Sequence, residues 1–515
     1  ALYKSSLKND GILKSTNLNG LDAILEKGIN SRHLRPSLYD FIAHRALSYF
    51  MDGENDLSKP AYKFILDDPA IFSSGTEFIR ASFKTKDSTS LYYNALLVLQ
   101  QLLAFHEHDP SPEAFMDVNL LRLQFAYEHG IFSNKEALYE AALKKIETDY
   151  PNKSSAALAM SLRASLYYSQ GQDYDPLTKT QHQFEIKKAI ALCEQTIAGF
   201  PKSDAAIQCK NLMTQIKLPT LNIKTEKVNI PGQPFRSLVE YKNVNKLYLR
   251  IIKTSREEVN RFRKLEHPED WKFIEDLASI KSWNVSLPDQ QDYQMHRAEI
   301  PIEGLQNGMY IILASSKPDF SASKNIMARE IFYVSRNSYI KNTQDEIYVL
   351  DRDNGKPLPG AIVQVWQQTY DYEAREYRYI KKEKYIASDN GLLKLKKSKE
   401  NFNYQLQVQY KGDELFMDEN QSSYTYNSYE PRTTKRSFLF TDRSIYRPGQ
   451  QVFFKGIVVS TDSASKKSQI VSGYKTSVLL YDVNGQKISS VKLLTNNYGS
   501  YNGSFQLPDG LLNGQ

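Results

Sequence analysis

The chain has 515 residues and carries 66 basic against 59 acidic residues, for a net charge of +7. This length predicts three or four domains, since a domain averages about 150 residues. The mixed, mildly basic charge argues against a nucleic-acid-binding protein, because the lysines are not gathered with stacking aromatics on one module. No run approaches the roughly 18 apolar residues that a membrane-spanning helix needs.

Residues 1–218 are predicted to be α-helical, because apolar residues recur every three or four positions. An apolar stripe opens at Leu21, Ile24 and Leu25, and the predicted helices then cover 38–50, 91–105, 112–129, 136–148, 154–170, 184–197 and 203–216. The helix at 112–129 is expected to have Ser111 as its cap, Pro112 at its first position and Gly130 past its end.

Two segments of this region, 150–157 and 200–206, are near copies of each other. Each has an aromatic residue, a proline, a short polar cap and a pair of alanines that opens a helix. This repeat predicts a solenoid-like helical array that resembles tetratricopeptide repeats, a type of scaffold that binds partner proteins.

Near residue 219 the apolar period changes from 3.6 to 2, which predicts β-strands. Three β units are predicted, at 219–336, 337–436 and 437–515. The first is expected to carry a helical insertion at 255–281, and the second is expected to end in an exposed linker at 419–436. The densest basic cluster, at 381–399, is interrupted by acidic residues and predicts a solvated strand face.

The third unit is predicted to open with a hairpin whose Phe438 and Phe440 form one buried face. Pro448 and Gly449 predict the turn, because proline presets φ at the first central position and glycine takes a positive φ at the second. The later segment 505–514 repeats the pattern of 300–308, which a predicted strand follows. We therefore expect this third unit to lack its final strand, as a piece of a longer protein would.

The hairpin sequence reads TDRSIYRPGQ from Thr441, followed by Val452 and by Phe454-Lys455-Gly456. It resembles the T-D-R-P-I-Y-R-P-G-x-x-V-x-F-K-G signature of the alpha-2-macroglobulin family, with Ser444 where proline is usual. The signature positions are Thr441, Asp442, Arg443, Tyr446, Arg447, Pro448, Gly449, Lys455 and Gly456. We expect Asp442, Arg443 and Arg447 to form an ion-pair cluster with a structural role.

This resemblance implies serial macroglobulin-like domains, which are seven-stranded antiparallel sandwiches like those of fibronectin type III. The helical region ahead of them resembles bacterial members of the family. Such proteins trap endopeptidases through a conformational change after a bait segment is cut, and many capture the protease through a Cys–Gln thioester. The resemblance implies that this chain is a non-enzymatic scaffold portion, with the bait and thioester regions further along.

The same resemblance implies an exported protein, in the periplasm or on the cell envelope, whose partners are endopeptidases. Ala1 opens directly into polar helical sequence, which fits either a cytosolic chain or one whose targeting segment has been removed. An envelope anchor would lie outside this chain. The alternative is an adhesion or assembly module of the cell envelope, with sandwiches as spacers and the helical region binding a partner.

Three motifs superficially suggest chemistry. Cys193-Glu194-Gln195 has one residue between Cys and Gln where a thioester has two, and its surroundings predict an ordinary amphipathic helix. The segment 106–109 (HEHD) offers too few aligned ligands for a metal, and we interpret it as a helix end with exposed polar caps. The segment 351–355 (DRDNG) lacks the glutamate that a calcium loop needs, which favours a turn.

No catalytic residue, cofactor or metal site is therefore predicted. A glycan-processing hydrolase is disfavoured because no pair of convergent carboxylates can be located. The two cysteines, Cys193 and Cys209, lie at equal distances on either side of Pro201. On a helical hairpin they would face each other, and the sequence leaves open whether they form a disulfide or stay as buried thiols.

Overall fold

The structure, a computed structural model, describes residues 2–8, 10–26, 32–52, 62–342, 346–396, 402–423, 433–462 and 467–509. Helices dominate up to Lys217 and antiparallel strands from Thr220 onward, which confirms the predicted fold class. The chain divides into two compact units, one of residues 1–142 with 426–515 and one of residues 143–425. None of the described helices is both long and apolar enough to cross a bilayer.

The first helices are α1 (Leu2–Ser6), α2 (Asp10–Ser15), α3 (Leu38–Phe50), α4 (Gly75–Arg80), α5 (Leu91–His106), α6 (Glu113–His129) and α7 (Lys135–Asp149). Helix α3 begins with a capping box, in which Ser37 and Asp40 each satisfy a backbone N–H of the other. Its buried face packs on α5, which in turn packs on α6. Helix α6 begins one residue later than expected, with Pro112 rather than Ser111 at the cap.

The predicted stripe of Leu21, Ile24 and Leu25 is wrong. Residues Leu18–Leu21 form a short 3-10 helix that turns follow, and the Ile24 side chain is 77% exposed. Asn17 caps this turn through the Asn19 N–H, and the Asn-Gly-rich stretch disfavours a longer helix.

The next helices are α8 (Ser154–Gln172), α9 (Glu185–Gly199) and α10 (Asp204–Lys217), which pack together. The two near-copied segments make the same turn. Tyr150 and Phe200 each donate a backbone N–H to the helix before them, and each accepts one from the residue three positions later, Lys153 or Ser203. The sequence repeat is therefore also a repeat of backbone structure, while the solenoid arrangement stays a prediction.

The first β unit contains β1 (Thr220–Thr225), β2 (Val228–Asn229), β3 (Phe235–Lys242), β4 (Lys246–Thr254), α11 (Arg256–Phe262), α12 (Glu269–Glu275), β5 (Ser279–Ser286), β6 (His296–Ile302), β7 (Gly308–Ser315) and β8 (Met327–Val334). Its two sheets have the orders β1-β3-β6 and β2-β8-β7-β4-β5, and the short β2–β8 pair is parallel. Alternate residues such as Val239, Leu249 and Phe332 form the core between the sheets. The helical insertion is shorter than predicted, because Ser279 already begins β5.

The second β unit contains β9 (Asn337–Lys341), β10 (Glu346–Asp351), β11 (Ile362–Asp371), β12 (Glu376–Ile386), β13 (Leu392–Lys394), β14 (Phe402–Tyr410), β15 (Asp413–Phe416) and β16 (Gln421–Ser423). The sheet orders are β13-β10-β9 and β12-β11-β14-β15, with β16 also paired to β14. Much of the basic cluster lies on β12, an exposed edge strand, as predicted, while 397–399 lie outside the described residues.

The third β unit contains β17 (Thr433–Thr441), β18 (Gln451–Asp462), β19 (Ser468–Ile470), β20 (Lys475–Tyr481), β21 (Lys487–Leu494) and β22 (Ser500–Gln506). The predicted linker at 419–436 is thus wrong for β16 and for the first residues of β17, and 424–432 lie outside the described residues. In this unit β18 lies between β17 and β22, just as β3 lies between β1 and β6 in the first unit. Strands β20 and β21 form an antiparallel pair, as β4 and β5 do. Of the segment that repeats 300–308, only residues up to Asp509 are described.

Candidate functional site

The signature residues form an exposed turn between β17 and β18. Gly449 has a φ of +79°, and the Gln450 N–H donates to the Arg447 carbonyl across 3.2 Å. This is the turn that Pro448-Gly449 predicts. The Gly449 N–H in turn donates to Leu507 O (3.1 Å), so the turn is fixed to the chain that follows β22.

Asp442 is the centre of a hydrogen-bond network inside the turn. Its Oδ1 accepts the Tyr446 hydroxyl (2.5 Å) and the Phe453 N–H (2.9 Å), while the Tyr446 oxygen accepts the Arg443 N–H (2.8 Å). The Thr441 hydroxyl donates to the Arg443 carbonyl (2.7 Å). The hydrogen bond from Tyr446 is the main reason why the pKa of Asp442 is lowered.

The expected ion-pair cluster is smaller than predicted. Arg443 Nε lies 3.6 Å from Asp442 Oδ2, and the described ion pairs include none for Arg447, whose side chain is exposed. Because the Asp442–Arg443 pair is solvent-exposed, it contributes little to stability. The hydrogen bonds of Asp442, rather than its charge pairing, shape this turn.

Gly456 on β18 is required by a close approach between strands. It lies opposite Leu439 and Tyr501, and a Cβ at this position would overlap the Tyr501 ring. The Tyr501 hydroxyl shares a hydrogen bond of 2.5 Å with Ser437. The adjacent Lys455 is exposed on the other face of the sheet.

The prediction of a buried face at Phe438 and Phe440 is wrong. Partners across an antiparallel pair share a face, and the register places Ser437 and Leu439 opposite the buried Val458 and Gly456. Phe438 and Phe440 therefore lie on the side away from the core, 50% and 57% exposed. Leu439 on the other face is itself 50% exposed, and every residue of β17 is exposed, so alternation along the strand does not predict burial here.

The match to known families falls on this same segment. Residues 436–515 match the model of the MG2 domain, over a range that contains the complete signature turn. Residues 436–515 thus resemble an MG2 domain, and this segment is called the MG2 domain below. The resemblance to the alpha-2-macroglobulin family is confirmed for this part of the chain. No curated protein sequence matches the chain.

Two solved structures of alpha-2-macroglobulin from Escherichia coli are similar to this chain. The first is a crystal structure of the native protein spanning domains MG0-NIE-MG1, with 14% sequence identity and a TM-score of 0.29. The alignment covers 39% of this chain and 64% of the E. coli chain. The second is a cryo-EM reconstruction of the native conformation, with 16% sequence identity and a TM-score of 0.29. The alignment covers 57% of this chain and 18% of the E. coli chain. A crystal structure of red sea bream transglutaminase has 12% sequence identity and a TM-score of 0.18. That alignment covers 52% of this chain and 33% of the transglutaminase chain. The assignment rests on the MG2 match.

The two β units ahead of the MG2 domain are joined through Arg256, at the start of α11. Its guanidinium lies among the rings of Trp366, Tyr379 and Phe416, with the Phe416 centroid 3.4 Å away. Its Nη2 donates to the buried Gln405 Oε1 (2.5 Å). Burial lowers the pKa of Arg256 from its ordinary value, although the group stays a cation.

Further contacts complete this junction. Arg263 pairs with Asp418 (2.9 Å). The buried Asp413 accepts the Ser335 hydroxyl (3.0 Å) and the Arg336 N–H (2.7 Å) through one carboxylate oxygen. Val228 and Tyr333 of the first unit pack into the core of the second, so the two sandwiches share one continuous apolar cluster.

Helices α8 to α10 are joined to the first β unit by a second polar junction. The Gln183 amide donates to the buried Asp292 (3.0 Å), and Gln294 donates to Gly171 O (2.9 Å). Asn243 donates to Ile216 O at the end of α10 (2.8 Å). Burial by itself raises the pKa of Asp292, but the hydrogen bonds, from Gln183 first, outweigh it and lower that pKa.

Sequence reasoning did not locate either junction. The S-x-x-E capping box at 255–258 is visible in the sequence and predicts where α11 begins. It does not indicate what Arg256 contacts.

The segment 106–109 is a helix end, as predicted, because α5 ends at His106, and His108 and Asp109 are exposed. The expected exposure is wrong for His106, which is buried. His106 Nε2 lies 2.7 Å from Asp40 Oδ1 and Nδ1 lies 2.7 Å from Asp109 Oδ2. Burial lowers the pKa of His106, but hydrogen bonds to the two carboxylates outweigh this effect and raise it. Among the described residues, no group of three or more His, Cys, Asp or Glu side chains could hold a metal ion.

The two other motifs that suggested chemistry are built into ordinary elements. Asp351 accepts the backbone N–H groups of Asp353 (3.0 Å) and Asn354 (3.2 Å) and pairs with Arg336 (2.9 Å), which makes a turn rather than a calcium loop. Cys193-Glu194-Gln195 lies inside α9.

Proposed function

We propose that this chain is part of the scaffold of an alpha-2-macroglobulin-like endopeptidase inhibitor, and that it contributes protein contacts rather than catalysis. The MG2 domain at residues 436–515, which contains the complete signature turn, carries this proposal. The signature residues act structurally: Asp442 orders the turn, Gly449 provides its positive φ, and Gly456 allows β18 to approach the Tyr501 ring.

The proposed domain organisation is a helical region at 1–218, two macroglobulin-like sandwiches at 219–336 and 337–436, and the MG2 domain. The strand pairing supports a serial arrangement, because the order of β1-β3-β6 recurs in β17-β18-β22. Because β17 begins at Thr433, the boundary that the sequence predicts at 436 falls inside a strand, and we propose to move it to just before Thr433.

The junctions of residues 143–425 support a scaffold rather than a string of loose spacers. Desolvated cation–π and hydrogen-bond contacts fix Arg256, and the shared apolar cluster makes rotation between the sandwiches costly. A conformational trap needs such parts, because only firmly joined bodies transmit a local cleavage as a defined movement.

In this proposal the intact protein is exported, resides in the periplasm or on the cell envelope, and has endopeptidases as partners. Cleavage of a bait segment changes its conformation and encloses the protease. An enclosed protease keeps its active site but loses access to large substrates.

The test uses the intact protein that contains this chain, incubated with several broad-specificity endopeptidases. We expect one early cleavage, a change in native-gel mobility, and loss of activity on a large protein substrate but not on a small peptide. Degradation, or an uncut protein with both activities unchanged, would reject trapping and would favour the adhesion or assembly alternative.

A further inference from the structure

The cysteines of the helical region face each other across a hairpin. Cys193 lies on α9 and Cys209 on α10, and both side chains are completely buried. They belong to one apolar cluster with Ala164 and Leu192. The buried contact between α9 and α10 is therefore built around a pair of thiols.

The two thiols lie in the contact between two packed helices. Helix α9 packs on α10, and Cys193 and Cys209 are both fully enclosed in the apolar cluster that joins the helices. Each thiol perturbs the other, since Cys209 raises the pKa of Cys193 and Cys193 lowers that of Cys209 to about 6. Two cysteines that meet in one buried cluster of adjacent helices can form a disulfide with little movement of the backbone.

We propose that Cys193 and Cys209 form a disulfide that links α9 to α10 when the chain folds in contact with a disulfide oxidant, such as a thiol–disulfide oxidoreductase or oxidised glutathione. One thiolate attacks the oxidant and forms a mixed disulfide, which releases one thiol. The second thiolate then attacks the first cysteine sulfur and releases the other thiol. The two cysteines lose two protons and two electrons, and the oxidant becomes two thiols.

The fold explains when this reaction takes place. Because both side chains are buried in the folded hairpin, exchange occurs before α9 and α10 pack. The short turn at 200–203 then brings the helices together. Once the helices have packed, burial protects the bond from reductants in solution.

The bond would stabilise the helical hairpin mainly by restricting the unfolded chain. Residues 194–208, which are 15 residues, separate the two cysteines. Closing a loop of this length in the compact unit of residues 143–425 is expected to raise its melting temperature by about 5 °C. This inference is independent of protease trapping, and its test reads a covalent bond instead.

The experiment refolds the chain of residues 1–515 from denaturant, either in a mixture of reduced and oxidised glutathione or in reductant alone. Free thiols are then alkylated and the protein is digested with trypsin. Lys202 lies between the cysteines, so trypsin separates peptides 189–202 and 203–210 unless a disulfide joins them. We expect the joined pair, two hydrogen atoms lighter than the sum, in oxidised protein with native helical circular dichroism.

The double variant Cys193→Ala, Cys209→Ala is the matched control and should melt at the same temperature in both buffers. The proposal is overturned if both cysteines are alkylated after oxidative refolding. It is also overturned if the joined peptides appear only in protein that has lost its helical signal, or if the joined protein melts no higher than the reduced protein.

Discussion

Replacing Arg256 by alanine should weaken the junction between the two sandwiches of residues 219–423. The variant removes the cation from the rings of Trp366, Tyr379 and Phe416 and leaves the buried Gln405 Oε1 without its donor. The cation–π contact is worth about 1–2 kcal/mol because it is partly desolvated. The charge-assisted hydrogen bond adds about 1.5–3 kcal/mol.

Solvent that enters the space left by the side chain recovers part of this energy, so the expected loss is about 3 kcal/mol. Hydrogen exchange is the appropriate assay, because a chain of several domains has no single free energy of unfolding. A loss of about 3 kcal/mol corresponds to exchange that is roughly 100-fold faster at β14 and β15. Mass spectrometry of peptides from 402–416 reads this change directly.

Arg261→Ala is the matched control. This arginine lies on the same helix, is exposed, and contacts Phe273 of its own domain at 5.1 Å. It should leave exchange at 402–416 within a few-fold of the parent protein. If Arg256→Ala and Arg261→Ala have the same effect there, the reasoning about the junction is refuted.

Three further predictions concern single side chains. Gly456→Ala should destabilise the MG2 domain by about 1–3 kcal/mol, because its Cβ overlaps the Tyr501 ring and forces the strands apart; hydrogen exchange at β18 and β22 measures this loss. Asp442→Ala should cost about 1–3 kcal/mol and increase proteolysis of the turn, since the Phe453 N–H loses its acceptor. Stability of the helices around His106 should be greatest at mildly acidic pH and fall on both sides, as followed by hydrogen exchange of peptides from α3 and α5 after correction for the intrinsic exchange rate at each pH.

The sign of the pH effect follows from the two pKa shifts. His106 has a raised pKa, so its contribution is complete below its ordinary value of 6.5 and is lost as the pH rises through the raised value. Asp40 has a lowered pKa, so its contribution is present above 3.8 and is lost as the pH falls through the lowered value. His106→Gln should flatten the alkaline side of the profile, and an unchanged profile would contradict the assigned pair.

Controls for the two MG2 variants use neighbouring exposed positions, Lys455 on the face of β18 opposite to Gly456 and Ser444 in the same turn as Asp442. Lys455→Ala next to Gly456 and Ser444→Ala next to Arg443 should each change stability by less than about 0.5 kcal/mol. If a control variant loses as much as Gly456→Ala or Asp442→Ala, the overlap and hydrogen-bond arguments fail.

Local signals in the sequence predicted the elements well, because they depend on neighbours in the chain. The alternation at 403–410 and the turn at Gly449 are examples. Contacts between distant segments were not predictable in this way. His106 was expected to be exposed because nothing nearby indicates Asp40, which lies 66 residues earlier and buries it. The more apolar face of β17, with Phe438 and Phe440, was expected to be buried, but the register with β18 places these residues opposite Ile457 and Lys455, away from Gly456 and Val458.

The apolar cluster shared by the two sandwiches has a consequence for how the protein is made. Val228 and Tyr333 leave the ribosome before β10 to β15, which cover them, have been synthesised. The first sandwich can close its own core at that stage but still presents an unfinished apolar surface to the cell. Chaperones bind such surfaces, and premature contact between two nascent chains would misassemble them. The predicted boundary near residue 336 therefore does not separate two units that complete their folding independently, and both sides of it belong to one compact unit.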